Sequence, residues 1–491
     1  MLMRRWKARR SYAVGSVRPG RQHGVNLRGR GTDVPSDANT DSPNLSARRR
    51  AQALIAALPL PDGTLAVGVG LIVSGITTYL FQILAFRGLS KPDYGALNAL
   101  WVFVFVLAPG IFLPVEQEVG RALAARRAHG VGGAPVIRRA GVIGLIFATS
   151  LGIVTIVLAV TTSLVDNLFA GNAGLVICLV VALFTFGFEL LARGAFAGAG
   201  EFGAYGVSMG AEGIIRLLPC IVLVAVGSTD PLGFGLCLAV PPALATLVAL
   251  RGQHSLMTPG PNAPWSELST NLGLLLGGSM LAQVLSYAPF LGAQLLATSG
   301  ERVAVADFIV GLFLSRIPIL LFQAVQAALL PRLAAQVSAG HTDDFRRGMR
   351  NLIFVVSCIG LVGVVGGATL GPTVGHILFG AKFELGNLDL ALLAAGSGLF
   401  ILALTLSQGL IALNALGHVL ASWLVGVIAF VVATLVSSSD LFARVEIGSI
   451  VGAGAAAATM GLMFALQLRK GIDPTSLAAL VEQIEHEPLE I

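Results

Sequence analysis

Apolar residues in this chain fall into long runs separated by short polar connections. Twelve runs of about 20 residues qualify as membrane helices, enough to cross a hydrocarbon core of about 30 Å. They lie at roughly 64–86, 94–114, 138–161, 172–192, 207–227, 231–250, 268–296, 303–325, 351–371, 388–412, 416–436 and 445–467. The pattern predicts an all-α integral membrane protein of about 12 transmembrane helices. No outer connection exceeds roughly sixteen residues, so no separate soluble domain is expected. One amphipathic stretch stands apart. Asp473 to Glu487 reads as a short helix, with Asp473 as cap, Pro474 in the first turn, and Leu477, Leu480, Val481 and Ile484 on one apolar stripe.

The runs carry an internal repeat. Pro109 in the second run and Pro318 in the eighth are 209 residues apart. Arg121 and Arg332, just past the same two runs, are 211 apart. Leu168-Phe169-Ala170-Gly171 and Leu378-Phe379-Gly380-Ala381, after the third and ninth runs, are 210 apart. Three matches in order, at nearly one offset and six runs apart, predict two parallel six-helix halves related by a pseudo-two-fold axis along the membrane normal. The expected organisation is a basic tail over 1–63, halves over 64–250 and 268–470 joined by a linker at 251–267, and a second tail over 471–491.

Composition sharpens this picture. Only 12% of residues are charged and mean hydropathy is +0.82. Soluble domains carry about 25% charged residues, so most of this chain is expected in lipid. Gly contributes 60 of 491 residues, which suits close helix packing. Cys178, Cys220, Cys237 and Cys358 all sit inside apolar runs without paired spacing, so neither a disulfide framework nor a metal site is expected. Charge sets the orientation. If the tails are cytoplasmic, that side holds 25 Lys and Arg residues against 5 outside, and 13 against 5 without the N-terminal tail. The positive-inside rule then places both termini in the cytoplasm of a bacterial cell (inner) membrane.

Ionisable residues inside spans are costly and mark candidate sites. The fourth run has Glu189 and Arg193, the fifth Glu212 and Arg216, each pair at i, i+4. Two readings stay open: self-neutralising pairs on one helix face, or cleft-facing arginines that release the carboxylate to bind an anion. The eighth run has Asp307 near its outer end and Arg316 about nine residues deeper beside Pro318. Arg316 has no carboxylate within reach on its own helix, so it either lines an anion site or pairs with Glu189 or Glu212 across the bundle. Glu116 and Glu118, just past the second run, either balance Arg121 or form a cytoplasmic gate with Arg121 and Arg332. Gly194-xxx-Gly198 and Gly206-xxx-Gly210 permit close helix approach. No nucleophile elbow, phosphate loop or metal spacing is present, and neither catalysis, a cofactor nor a nucleic-acid partner is expected.

The Leu89-Ser90-Lys91-Pro92-Asp93-Tyr94-Gly95 lead into the second run, Leu330-Pro331-Arg332-Leu333 after the eighth and Leu378-Phe379-Gly380 before the tenth carry a resemblance. Over about residues 64–470 the chain resembles the polysaccharide biosynthesis (Wzx-type) flippases of the multidrug/oligosaccharidyl-lipid/polysaccharide (MOP) exporter superfamily. That resemblance implies a MATE-like fold. It also implies ion-coupled alternating access that moves undecaprenyl-diphosphate-linked oligosaccharide from the inner to the outer leaflet. Arg193, Arg216 and Arg316 would then bind the diphosphate and acidic sugars. Glu189, Glu212 and Asp307 are the candidates for ion coupling. Partners would be the lipid-linked glycan, the bilayer, and glycosyltransferases or a polymerase of the same pathway. Two alternatives stand beside it: a multidrug or cation exporter of the same fold, and a non-transporting scaffold of a glycan-assembly complex. The drug-exporting branch typically has an acid in the first span, where this chain offers only Ser74, Thr77, Thr78, Tyr79 and Gln82.

Overall fold

The structure, a computed structural model, describes residues 64–470 except 266–267, 269–271, 299, 320–341 and 381–382. Arg332, both terminal tails and the Asp473–Glu487 helix therefore lie outside the described residues. The described chain is helical throughout, with eleven helices long and apolar enough to cross a membrane. The first half contributes α1 (Thr64–Gly88), α2 (Lys91–Ala128), α3 (Ala134–Thr161), α4 (Ala173–Ala199), α5 (Phe202–Ala225) and α6 (Pro231–Ala249). The second contributes α7 (Leu272–Leu296), α8 (Arg302–Ser315), α9 (Thr342–Phe379), α10 (Asn387–Ala412), α11 (Leu416–Val436) and α12 (Leu441–Lys470). Of the eighth expected span, residues 303–319 are described, with α8 ending at Ser315.

Packing repeats between the halves. In the first, α1 packs on α5, α2 on α4, and α4 on α3 and α6. In the second, α7 packs on α11, α8 on α10, and α10 on α9 and α12. The Leu-Phe repeat has the same structural role in each half. Phe169 and Phe379 are both buried, and each is followed by left-handed backbone, at Ala170 (φ 50°) and Gly171 (φ 78°) in one half and Gly380 (φ 87°) in the other. Each turn thus drives a phenylalanine back into the bundle: Phe169 meets Phe103, and Phe379 meets the edge of Phe86.

Glycine seams explain the tightest pairs. A Cβ on Gly206 of α5 would fall 2.2 Å from the Ala66 carbonyl oxygen, and one on Gly70 of α1 would fall 2.3 Å from the Gly206 oxygen. Between α2 and α4, a Cβ on Gly194 would lie 2.5 Å from the Glu116 oxygen, and one on Gly198 2.7 Å from the Gly120 oxygen. Backbones touch at these points, so both Gly-xxx-Gly motifs are packing seams. Gly206→Ala is expected to force α1 from α5 and cost about 1–3 kcal/mol, the usual range for overpacking. Gly203→Ala on the same helix meets nothing within 4 Å and serves as the control. Thermal unfolding of the two purified variants, with equal midpoints as the contrary result, decides it.

Two helices depart from the sequence reading. The second span does not stop at residue 114. α2 runs unbroken through Pro109 and Pro114 to Ala128, so its 38 residues span about 57 Å. The sixth span is broken at Val240, where Pro241 and Pro242 supply no backbone N–H. The hydroxyl of Thr185 donates to the carbonyl of buried Ala239, at the break, at 2.6 Å. That bond satisfies a group that lipid would leave bare. Large apolar side chains of α3, among them Leu145, Ile153 and Val160, lie on the surface. A soluble protein rarely carries such a patch; lipid is its natural solvent.

The core is shared at one end of the bundle and divided at the other. At the end where α2 begins, one cluster of buried residues joins both halves, including Phe86, Leu97, Phe308, Phe313 and Phe379. At the opposite end the described core separates into two. One group, around Val119, Val136 and Phe196, is built mainly by the first half, with Leu268 and Leu272 at the start of the second packed on it. The other, around Met349, Leu410 and Trp423, belongs to the second.

Candidate functional site

Where the halves meet, the α2 start is latched by polar contacts as well as apolar ones. Lys91 opens α2, after the Ser90 cap, and its ammonium lies 2.7 Å from Asp307 of α8. Asp307 is almost fully buried. Arg87 donates to the Ile377 carbonyl at 3.0 Å, again from one half to the other. Asp307, an ion-coupling candidate by the family resemblance, has its partner in the opposite half.

One layer deeper an aromatic plate separates two arginines. Trp101 stacks on Phe105 at 4.5 Å between ring centres and meets the edge of Phe313 at 5.8 Å; Phe313 in turn meets Phe290 at 5.4 Å. Arg216 lies over Trp101 from the first-half side, 5.5 Å from its ring centre. Arg316 lies over Tyr287 and Phe290 from the second-half side, at 4.5 and 5.0 Å. These are favourable cation–π distances. Tyr79 of α1 donates to the Phe313 carbonyl at 3.1 Å and ties the plate across the halves.

The arginines differ in what holds them. Arg216 is 1% exposed, contacts Glu212 one turn earlier, and donates to the Thr78 hydroxyl at 2.9 Å. Arg193 reaches Glu189 at 2.7 Å, and the same carboxylate oxygen accepts from Ser208 at 3.0 Å. Both i, i+4 pairs therefore form within their own helices. Arg316 pairs with neither Glu189 nor Glu212. α8 ends at Ser315, and the Arg316 guanidinium donates to the Ser286 carbonyl, with the Ser286 hydroxyl at 3.4 Å. No carboxylate among the described residues contacts it. It borders a cavity of about 20 Å³, room for roughly a water molecule, lined also by Ser286, Ser397, Phe400 and Ser449.

Of the gate candidates, Glu118 and Arg121 pair with each other at 2.7 Å on α2. Glu116 does not join them. It is 7% exposed, and one of its oxygens accepts from the Tyr205 hydroxyl at 2.8 Å. Sequence reasoning missed Tyr205, Ser208, Lys91 and Trp101 as partners. It also passed over Glu446, buried near the start of α12 and visible by the same in-span rule that found the others. Among the described residues no group of His, Cys, Asp and Glu is arranged to hold a metal.

This is a multi-pass membrane protein of two six-helix halves, joined at one end, with Arg216 buried and Arg193 and Arg316 half-buried among its helices. No protein-family model matches the sequence, and no curated protein matches it. Solved structures do match. The chain is similar to an inward-facing multidrug resistance MATE family transporter of the MOP superfamily (TM-score 0.67, 14% identity, 83% of this chain and 99% of that one). It is similar to a MATE transporter from Vibrio cholerae (0.65, 14%, 87% and 98%). A MOP superfamily transporter from Pyrococcus furiosus, whose binding pocket is described as having reverse polarity, also matches (0.62, 14%, 82% and 96%). The fold is therefore that of the MATE transporters of the MOP superfamily.

Proposed function

We propose that this protein is an alternating-access transporter that moves an anionic, lipid-linked substrate, of the undecaprenyl-diphosphate-oligosaccharide class, from the inner to the outer leaflet. The observation that carries the reading is Arg316. Arg193 and Arg216 each have a carboxylate of their own, while among the described residues Arg316 is held by the Ser286 carbonyl and hydroxyl, the Tyr287 phenol and aromatic faces. A half-buried guanidinium without a counter-charge is costly, and a diphosphate would supply that charge in bidentate geometry. Arg216, on the other side of the aromatic plate, would engage the substrate once Glu212 releases it. With the arginine-rich end in the cytoplasm, the shared core lies on the outer side and the halves face inward. Ion coupling falls to the buried carboxylates of the first half. Glu118, Arg121 and Arg332 would form the cytoplasmic mouth.

The matching multidrug transporters favour a second reading, export of cationic amphiphiles. The two readings separate in proteoliposomes. Protein-dependent flipping of a fluorescent polyprenyl-diphosphate saccharide is expected, falling at least about tenfold in Arg316→Gln, the loss of one charge-assisted contact. Efflux of a cationic dye, unaffected by Arg316→Gln and without any flipping, would overturn the glycolipid reading.

A further inference from the structure

Among the described residues, Glu116 is the one carboxylate of the first-half network that holds no cation. Three carboxylates and two guanidiniums lie close together on neighbouring helices: Glu116 on α2, Glu189 and Arg193 on α4, Glu212 and Arg216 on α5. Glu189 takes Arg193 and Glu212 takes Arg216. Full ionisation would leave one negative charge unmatched, and the geometry shows where. Glu116 Oε1 accepts from Tyr205 of α5; Glu116 Oε2 is buried without a hydrogen-bond partner among the described residues. The charged groups facing it are Arg193 and Glu189, both from α4 and already paired with each other. On its own helix Glu118 is turned to Arg121. Behind it, the Gly194 backbone presses against the Glu116 backbone. A carboxylate so placed must carry a proton or meet a cation. A metal ion would need several ligands around Oε2, and among the described residues no group of three His, Cys, Asp or Glu side chains is arranged to hold one.

We propose that Glu116 is a proton-binding site, with the proton bonded to Oε2 in this conformation. Arg193 is its switch. The Nε of Arg193 is also buried without a partner among the described residues, so a rotation of the Arg193 side chain, with the α2–α4 backbone seam unmoved, lets the guanidinium bridge Glu189 and Glu116. The Oε2–H bond then breaks, the proton passes to water, and the guanidinium takes over the charge. The inference deepens the transport reading by naming its coupling group. It rests on that reading for the purpose of the proton and not for its detection.

Infrared difference spectra of the full-length protein in lipid nanodiscs, recorded over a pH series, test it. The expected result is a carboxylic C=O band that is absent in Glu116→Gln and retained in Glu212→Gln. Gln keeps the shape and the Tyr205 hydrogen bond, so the fold is preserved. Tyr205→Phe removes the hydrogen bond to the C=O and moves the band to higher wavenumber, which a merely structural role for Glu116 would not produce. Replacing sodium by choline leaves the band unchanged. No such band in the wild type, a band that survives in Glu116→Gln, or bleaching by sodium overturns the proposal. Absence of glycolipid flipping with the band intact overturns only the substrate assignment.

Discussion

Arg216→Gln is expected to destabilise the protein by about 3–5 kcal/mol, the usual cost of stripping one partner from a buried ion pair. Arg216 is 1% exposed and Glu212 4%. Without the guanidinium, Glu212 keeps only a weak contact, the Ser74 hydroxyl at 3.5 Å. Arg216 also faces Trp101, so its loss removes a cation–π contact from the plate between the halves. The double variant Glu212→Gln/Arg216→Gln removes both charges. Replacing a buried pair by neutral groups is often neutral or even stabilising, so the double variant is expected to recover most of the loss. Thermal unfolding in one lipid environment gives the coupling directly. Additive losses in the double variant would show that the pair contributes little and that Arg216 is held mainly by Thr78 and Trp101. The same comparison bears on transport. A pair that must open to receive substrate should tolerate Arg216→Lys poorly, because Lys loses the bidentate fork.

The second large effect concerns the latch. Asp307→Asn removes the counter-charge of Lys91 at 2.7 Å, in a pair with side-chain exposures of 6% and 21%. A charge-assisted contact of about 2 kcal/mol corresponds to roughly a thirtyfold shift in a two-state equilibrium. The halves are therefore expected to part at this end far more often. Spin labels at Thr229→Cys and Ser439→Cys, in a background without the four native cysteines, report it as a new long-distance population. Exchanging the two charges, Lys91→Asp with Asp307→Lys, should restore the short distance. An unchanged distance distribution in Asp307→Asn would mean that the Phe86–Phe379 contact and the shared apolar core hold the end closed without the ion pair.

Features set by spacing along one helix are legible in the sequence. The apolar runs mark the spans because lipid requires unbroken apolar length. Glu189–Arg193 and Glu212–Arg216 follow from the four-residue period. The glycine motifs mark the seams because nothing larger fits where backbones touch. Partners across helices are not legible in that way. Tyr205 meets Glu116 across 89 positions, and Lys91 meets Asp307 across 216. Both depend on the rotation and depth of each helix, which packing sets and periodicity does not. The Arg316 environment is half legible. Its isolation from acid on its own helix follows from spacing, while the Ser286 carbonyl and the Tyr287 face come from a neighbouring helix. The length of the second span is hidden for a related reason. Glu116 and Glu118 resemble its end, but α4 and α5 shelter α2 there and let it continue to Ala128.

That continuous α2 has a mechanical consequence. Its first turn is tethered to the opposite half through Lys91, while its far portion is fused to α4 through the Gly194 and Gly198 contacts. Pro109 and Pro114 remove two backbone hydrogen bonds between these attachments, so the helix bends there most readily. A bend of about ten degrees at Pro109 would move the Ala128 tip by about 5 Å, given about 19 residues at 1.5 Å each. The prolines thereby let one membrane face open while the latch at the other stays shut.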